Sequence, residues 1–346
     1  MKEKKDLRGQ DLDQLQRILA SYKEPAFRAK QVQSWLWAKG ATDINQMTNL
    51  SKPLREKLSA DFGMYPIQSD KIQHSNDGTV KFRFKLWDDS LIEAVLIPVP
   101  DDNRYTVCVS CQVGCSLSCA FCATGQMKRV RNLDPGEIYD QVKVVNEMCL
   151  ERYDHGITNI VYMGMGEPLL TYKNVLKSID HITSPYGMNM SNKRITISTA
   201  GIAKMIQKLA DDQSKVNLAL SLHAPDDEKR SEIMPINDQN NIAVLIKSLE
   251  YYYEKTKNRI SFEYIALQDF NDSLQDADQL AKLCKSFPVS VNIIEYNAIP
   301  GIDFLKSSGN KIDAFAKRLR HHGVVATVRR SRGKDIDAAC GQLANS

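Results

Sequence analysis

The chain has 346 residues, of which 42% are hydrophobic and 25% are charged, and its formal net charge at pH 7 is +4. These values are typical of a soluble globular protein. No apolar run is long enough to span a membrane, and the charged start of the chain lacks the apolar core of a signal peptide. We therefore expect a cytoplasmic protein without a membrane partner, whose eight cysteines serve metals or catalysis.

The N-terminal third is predicted to form two units. Residues 1–62 read as a helical accessory domain, because apolar residues such as Leu12, Leu15 and Leu19 recur at helical spacing. Residues 63–103 read as a small β segment or linker, with alternating apolar residues and a turn signal at 76–78.

The remaining residues, 104–346, alternate between apolar strands and amphipathic helices. Strands are predicted at Thr106–Val109, Ile160–Met163, Ile195–Ser198, Val216–Leu222, Ile260–Ala266 and Val289–Tyr296. Helices are predicted near 135–151, 172–182, 202–212, 241–256 and 273–285. Six βα units of this kind predict an α/β fold with a parallel sheet, either a partial (βα)6 TIM-like barrel or a doubly wound sheet.

In such a fold the chemistry lies on the loops at the carboxyl ends of the strands. The second strand leads into the turn Gly164–Pro168, where glycines allow a ligand close to the backbone and Glu167 can accept hydrogen bonds from an ammonium group. Small polar residues also follow the later strands and can form hydrogen bonds with a bound ligand.

Three cysteines, Cys115, Cys119 and Cys122, follow the first of these strands at spacings of three and two residues. Three thiolates on one loop can hold three corners of a [4Fe–4S] cluster and leave the fourth iron open, whereas electron-transfer clusters usually have four cysteines. A zinc site is the alternative, because thiol-rich loops of intracellular proteins often bind zinc and Cys108 and Cys111 are close enough in sequence to add a ligand.

Basic residues are concentrated in three places. The segment from Lys317 to Lys334 contains seven Lys and Arg residues and no acidic residue. A second basic group, residues 128–131, follows the cysteine loop, and a third, which includes Lys2, lies within residues 1–62. Such clusters are expected to contact the phosphates of a nucleic acid, although the N-terminal group alone fits a solvated helix surface equally well.

The cysteine loop resembles that of the radical S-adenosylmethionine (SAM) superfamily, and the whole chain resembles the adenosine-C2 methyltransferases within it, which modify 23S ribosomal RNA and some transfer RNAs. The matching segments are 25–31, 108–115, 163–170, 221–225 and 332–343. The last segment, which contains Cys340, is the most specific, because other radical enzymes share the cysteine loop but not this tail.

The resemblance implies a partial TIM-like barrel, a [4Fe–4S] cluster on Cys115, Cys119 and Cys122, and SAM as cofactor. The residues it implies as SAM contacts are Gly166, Glu167, Ser198, Ser221, Leu222, His223 and Asn297. It further implies 23S ribosomal RNA before ribosome assembly and transfer RNA as partners, with an electron donor such as a flavodoxin system. The accessory domain at 1–62 is expected to bind RNA.

The resemblance also implies a sequence of steps. Cys340 is methylated by one SAM molecule, a radical made from a second SAM takes a hydrogen from that methyl group, and the carbon radical adds to C2 of adenine. Glu93 accepts the proton, and Cys108 releases the methylated base by forming a transient disulfide with Cys340. Because C2 lacks a lone pair, direct displacement there would be very slow, so radical chemistry from a cofactor is required. The basic run 329–334 is expected to lower the pKa of the Cys340 thiol.

Two choices stay open at this point. Cys111 stands where the family has a small residue such as serine, so it is either inert or a competitor of Cys108 for the disulfide or of Cys115 for iron. A sister group with the same cysteines methylates C8 of adenine, and the segments 166–168 and 112–114 favour the C2 group.

Two other function classes are alternatives. An iron–sulfur electron carrier would need neither Cys340 nor the nucleoside-binding loops. A zinc-stabilised RNA-binding factor would need the basic segments but not the Gly-Glu-Pro turn. Brown, iron-rich protein favours the enzyme or the carrier, and colourless, zinc-rich protein favours the binding factor.

Overall fold

A ten-stranded sheet runs through the fold of the computed structural model, which describes residues 3–345. Met1, Lys2 and Ser346 lie outside the described residues, and with them one cation of the predicted N-terminal basic group. The strands are β1 (Lys5–Asp6), β2 (Phe62–Gly63), β3 (Gln68–His74), β4 (Val80–Lys85), β5 (Leu91–Val99), β6 (Arg104–Cys108), β7 (Gln112–Val113), β8 (Arg131–Asn132), β9 (Asn159–Tyr162), β10 (Ile195–Thr199), β11 (Asn217–Ser221), β12 (Ile260–Ala266), β13 (Val289–Glu295) and β14 (Val325–Arg329).

Ten α-helices within residues 3–345 accompany these strands. They are α1 (Leu12–Ser21), α2 (Phe27–Gln33), α3 (Lys52–Asp61), α4 (Pro135–Tyr153), α5 (Tyr172–Thr183), α6 (Ala203–Asp211), α7 (Asp227–Ile233), α8 (Ile242–Thr256), α9 (Leu274–Leu283) and α10 (Gly309–His321). None of the helices in the described part of the chain is both long and apolar enough to cross a membrane.

The strand order in the large sheet is β14-β13-β12-β11-β10-β9-β6-β5-β4-β3. Every pair from β6 to β14 along this order is parallel. Helices connect successive parallel strands, so the predicted α/β partial barrel is confirmed, including all six predicted strands. The structure adds a seventh parallel strand, β14, in a segment that the sequence analysis considered only for its basic residues.

The central parallel strands, β10 to β12, are mostly buried because helices cover the sheet. All seven residues of β12 are buried, and α5 turns Val175, Ile179 and Ile182 inwards at helical spacing. The resulting core fixes the strand ends, and thereby the loops that follow them.

The small β segment is part of the same sheet. The strands β3, β4 and β5 pair in antiparallel fashion, and β5 pairs with β6 at the edge of the parallel strands. The predicted turn between β3 and β4 is present, with Gly78 at φ +88°. The register places Lys81 opposite Val95 and Val95 opposite Cys108, so residues on one face of this extension reach the first barrel strand.

The helical prediction for the N-terminal segment is confirmed over α1 to α3. An Asp11–Gln14 capping box starts α1, and Ser51 caps α3. This unit packs on α4 through Arg8, which is 4% exposed and pairs with Asp140 at 2.6 Å, and through the Tyr139 hydroxyl, which donates to the Trp37 carbonyl. The N-terminal unit is therefore fixed to the outside of the barrel.

Candidate active site

The carboxyl ends of the parallel strands surround a cavity. Nine residues predicted from the sequence line it: Cys115, Cys119, Cys122, Gly166, Glu167, Ser198, Ser221, His223 and Cys340. These residues come from segments far apart in the chain, and the barrel brings them together. Glu93, Cys108, Leu222 and Asn297 lie outside the lining.

Two of these four residues form hydrogen bonds with residues that line the cavity. Leu222 is fully buried, and its backbone N–H donates to the carbonyl of Glu263, a lining residue. The Asn297 side-chain amide donates to the carbonyl of Cys340 at 3.2 Å. Leu222 thus supports the wall, and Asn297 holds the tail.

The cysteine loop has a tight path that its glycines permit. Gly114 has φ +71°, and a Cβ there would lie 2.3 Å from the Lys128 carbonyl oxygen. The backbone N–H of Ala120 donates to Ile233 at the end of α7, and that of Ala123 donates to Gly341 in the tail. The loop is therefore fixed to the barrel on one side and to the tail on the other.

The three thiols of the cysteine loop line the cavity and affect one another's ionisation. Burial raises the pKa of Cys119, and its neighbours Cys122 and Cys115 act in the same direction, so the three sulfurs lie close enough to repel one another as thiolates. Burial also raises the pKa of Cys122, while the Gly125 and Thr124 N–H groups act to lower it. Such N–H···S hydrogen bonds also tune the potential of iron–sulfur clusters.

A cluster fits this donor set better than zinc does. A closed structural zinc site needs four ligands from the protein. The cysteine loop brings three thiols to the cavity, as a cluster with one open iron requires. Cys111 is turned away, since its thiol is buried and lies 3.7 Å from the Met165 carbonyl, to which it donates.

Glu167 lies beside the cysteine loop with both carboxylate oxygens in use. Oε1 accepts the Leu169 N–H at 2.9 Å, and Oε2 accepts the Ala200 N–H at 2.7 Å. The preceding Gly166 has φ +102°, and a Cβ there would lie 2.5 Å from Gln112 Cβ. Only glycine fits, because the Gln112 side chain must reach the Glu167 N–H, which it accepts at 2.9 Å.

Burial raises the pKa of Glu167 from 4.5 to about 7, and we expect this shift to make stability depend on pH. The unfolded chain loses this proton at lower pH than the folded chain, so the contribution is greatest below about pH 4.5 and is lost as the pH rises to about 7. The loss should amount to about 3 kcal/mol. Urea unfolding of the metal-free chain between about pH 4.5 and 7 measures it.

Glu167→Gln should flatten this dependence, whereas Glu147→Gln, at a side chain 59% exposed, should leave it unchanged. Equal slopes for the wild type and Glu167→Gln would show that Glu167 does not hold its proton to higher pH in the folded chain.

Ser198, Ser221 and His223 form the opposite wall. The two serine hydroxyls lie 3.4 Å apart at the ends of β10 and β11. His223 is at φ +58°, and its Nδ1 accepts the Ile265 N–H at 3.1 Å. Because burial lowers its pKa to about 3, the ring is neutral and carries its proton on Nε2.

Two buried charged residues of the site were missed by sequence reasoning. Arg230 on α7 is fully buried and donates to the carbonyls of Ala200, Ser221 and Leu222, which ties the ends of β10 and β11 together. Glu263 on β12 lines the cavity and accepts hydrogen bonds from Ser261 and Asn292. No motif marks either residue; only burial in the folded chain distinguishes them.

Cys340 sits in the cavity wall on the C-terminal tail. The residue is exposed and lines the cavity, and the surrounding protein, Glu263 and Cys122 raise the pKa of its thiol to about 11. Burial raises the pKa of Cys108 to about 12, and the Cys340 thiol adds to that shift. The two sulfurs are thus electrostatic neighbours.

The expected lowering of the Cys340 pKa by the basic run is wrong. Arg329 acts in that direction but does not outweigh burial. Other cations of the run are engaged elsewhere, since Arg330 and Lys334 each lie 3.0 Å from Glu295. Burial acts to raise the pKa of Glu295, but the Ser331 N–H and these cations lower it to about 2.

Glu93 lies beneath the tail, on β5. It is fully buried, its Oε1 lies 3.3 Å from Lys81 Nζ, and its Oε2 accepts the Ala344 N–H at 3.0 Å. Glu93, Cys108 and Lys81 share one face of the sheet. Glu93 and Cys108, which were predicted to act with Cys340, therefore lie on the face of the sheet that contacts the tail through Lys81 and Glu93.

Comparison with known proteins identifies the family of the chain. Residues 5–63 match the family described as the ribosomal RNA large subunit methyltransferase N-terminal domain, and residues 109–284 match the radical SAM superfamily. A probable dual-specificity RNA methyltransferase RlmN of Cytophaga hutchinsonii is 52% identical over 341 residues, which cover 99% of this chain and 93% of that protein. Its counterpart in Flavobacterium johnsoniae is 50% identical, with 99% and 98% covered.

The chain belongs to the RlmN family of dual-specificity RNA methyltransferases. It is a radical SAM enzyme, and this membership implies a [4Fe–4S] cluster and SAM. The crystal structure of a radical SAM methyltransferase from Sphaerobacter thermophilus matches the fold with a TM-score of 0.92 at 40% identity, over 99% of this chain and all of that one. The likeness therefore extends over the accessory unit, the β segment, the barrel and the tail.

Proposed function

We propose that this enzyme methylates C2 of a specific adenosine in 23S ribosomal RNA and in some transfer RNAs, with Cys340 as the methyl carrier. The observation that carries the proposal is the position of Cys340 in the wall of the cavity that also contains Cys115, Cys119 and Cys122. A thiol there can meet SAM and an RNA base in one cavity, and Cys108, whose pKa responds to the charge of Cys340, would be its partner in the exchange.

The cofactors are proposed to bind at the carboxyl ends of the strands. Cys115, Cys119 and Cys122 would hold the cluster, which when bound supplies the electron that cleaves the SAM sulfonium. The proposed SAM contacts are Gly166, Glu167, Ser198, Ser221, Leu222, His223 and Asn297. Glu167 and the paired serines offer acceptors for an ammonium group and for hydroxyl groups.

Three residues of the chain take part directly in the proposed reaction. The Cys340 thiolate attacks the methyl carbon of a first SAM, and S-adenosylhomocysteine leaves. After the carrier carbon has bonded to C2, Glu93 accepts the C2 proton. The Cys108 thiolate then attacks the Cys340 sulfur, the bond between that sulfur and the transferred carbon breaks, and the carbon keeps the electron pair and takes up a proton to become the methyl group.

The electrons balance over one cycle. Cleavage of the second SAM and hydrogen transfer to its adenosyl group consume two electrons, and oxidation of two thiols to the disulfide supplies two. A dithiol reductant must then reopen the disulfide, and an electron donor such as a flavodoxin system must prime the cluster. Two SAM molecules are consumed for each methyl group transferred.

RNA is proposed to approach the cavity mouth. Lys128, Arg129 and Val130 follow the cysteine loop and are all exposed there. Such cations suit phosphate groups, and the target adenine must be unpaired or extruded to reach Cys340. We propose residues 1–62 as the accessory RNA-binding domain, 63–103 as the β segment and 104–346 as the catalytic unit, acting in the cytoplasm.

Position C2 is favoured over C8 by two segments that contact each other. Gln112 accepts the Glu167 N–H, so the Gln112–Gly114 and Gly166–Pro168 segments, which resemble the C2 group, form one structural unit beside the cysteines. A change of target atom would be expected to alter this unit.

The experiment is nucleoside mass spectrometry. Reconstituted enzyme with SAM, reductant and protein-free 23S ribosomal RNA or transfer RNA should give 2-methyladenosine in both RNAs. Product with 8-methyladenosine alone would overturn the choice of C2. Iron-loaded protein that forms no methylated base would favour the electron carrier, and RNA binding without iron would favour the zinc-stabilised factor.

A further inference from the structure

The C-terminal tail packs on one face of the β3–β5 extension. Three side chains of β4 and β5, and that of Thr79 just before β4, reach residues 333–345. Thr79 packs under Gly333, Lys81 Nζ lies 3.5 Å from the Asp337 carbonyl, Arg83 donates to the Asn345 carbonyl at 3.0 Å, and Glu93 accepts from Ala344. The tail that carries Cys340 thus lies along a strand face rather than in solvent.

Among these four residues, Lys81 contacts both the Glu93 carboxylate and the main chain of the tail. Its side chain is 1% exposed, and that of Glu93 is fully buried, so the charges balance each other away from water. The ammonium group lies 3.3 Å from Glu93 Oε1 and 3.5 Å from the Asp337 carbonyl oxygen. One buried cation therefore joins the carboxylate to the tail.

The two oxygens of Glu93 have different surroundings. Oε2 is occupied by the Ala344 N–H, whereas Oε1 accepts no hydrogen bond from any group in residues 3–345. An oxygen held in place by a cation but accepting no hydrogen bond has lone pairs for a proton. Because Cys108 is the diagonal neighbour of Glu93 across β5 and β6, this oxygen lies on the side of the sheet where the disulfide would form.

We propose that Lys81 is a positioning residue for methyl transfer, which fixes the Glu93 carboxylate and the Cys340 tail relative to each other. The inference rests on the proposed function. In the step concerned, the C2–H bond of the adduct breaks, the proton goes to Glu93, and the electron pair stays in the ring. Without Lys81 the carboxylate and the tail would each shift, and the adduct between Cys340 and RNA would persist.

The test compares Lys81→Met with Lys85→Met in the cluster-loaded enzyme. Lys85 lies on the same strand, is 46% exposed and pairs only with the surface residue Asp89. Methylated RNA and covalent RNA–protein adduct are measured together, on denaturing gels and by mass spectrometry. For Lys81→Met we expect product to fall about 100-fold, as for loss of a general base, and the adduct-to-product ratio to rise at least about 10-fold. Lys85→Met should match the wild type.

A second variant avoids the unpaired buried charge that could prevent Lys81→Met from folding. Lys81→Met/Glu93→Gln removes both buried charges, so no unpaired charge is left in the core. It should fold and bind iron like the wild type and show the same raised ratio as Glu93→Gln. A wild-type ratio in Lys81→Met, whatever its total activity, would mean that Lys81 only supports the fold. If the wild type itself methylates no RNA, the proposed function fails instead.

Discussion

Cys340→Ala is expected to abolish RNA methylation while leaving the iron content of the protein unchanged. Cys340 is exposed to the cavity, and alanine offers no nucleophile for a methyl group, so methylated RNA should fall by at least about 1000-fold. Nucleoside mass spectrometry measures the product, and metal analysis with the visible absorption of the cluster checks the iron.

Cys284→Ala is the matched control. Burial raises the pKa of this half-buried thiol to about 12, and it lies at the end of α9, away from the cavity lining. Its loss should change stability by about 1 kcal/mol and leave methylation intact. Continued methylation by Cys340→Ala would remove the carrier role from Cys340.

Cys122→Ala is expected to lose the cluster and, with it, the reductive cleavage of SAM. Two remaining thiolates cannot hold the three corners that Cys115, Cys119 and Cys122 provide, so bound iron should fall to near background. Formation of 5′-deoxyadenosine under reducing conditions should drop by at least about 1000-fold. Iron analysis and chromatography of the nucleoside measure the two effects.

Cys111→Ala separates this effect from the loss of any nearby thiol. The Cys111 thiol is buried and donates to the Met165 carbonyl rather than facing the cavity, so this variant should keep its iron and its activity. Loss of iron from Cys111→Ala with retention in Cys122→Ala would reverse the ligand assignment.

The features that the sequence predicted well are those encoded within short segments. The cysteine spacing and the Gly166–Glu167 turn each occupy one loop, and each of the six strands is a short segment rich in apolar residues. The seventh strand, β14, was missed because Val325 to Arg329 alternates buried and exposed side chains at the edge of the sheet and ends in a cation. The basic residues around this strand instead indicated a phosphate-binding segment.

Other parts depend on contacts between distant segments and so could not be predicted. Arg230 reads as one more charge on a short polar helix, yet it is fully buried and joins the ends of two strands. Glu295 likewise pairs with Arg330, 35 positions further along the chain, and with Lys334. Only the fold shows that these two cations form ion pairs within the protein.

The way in which the tail is held has a consequence for its variation. Main-chain atoms of Asp337, Cys340, Gly341, Leu343, Ala344 and Asn345 make most of the hydrogen bonds between residues 337–345 and the rest of the molecule, and the Gln342 side chain adds one to the Ala298 carbonyl. Such a segment can exchange many of its side chains and still follow the same path. An inserted or deleted residue, by contrast, would move every anchoring point at once and carry the sulfur out of line, so length is the property of the tail that evolution and protein engineering must both preserve.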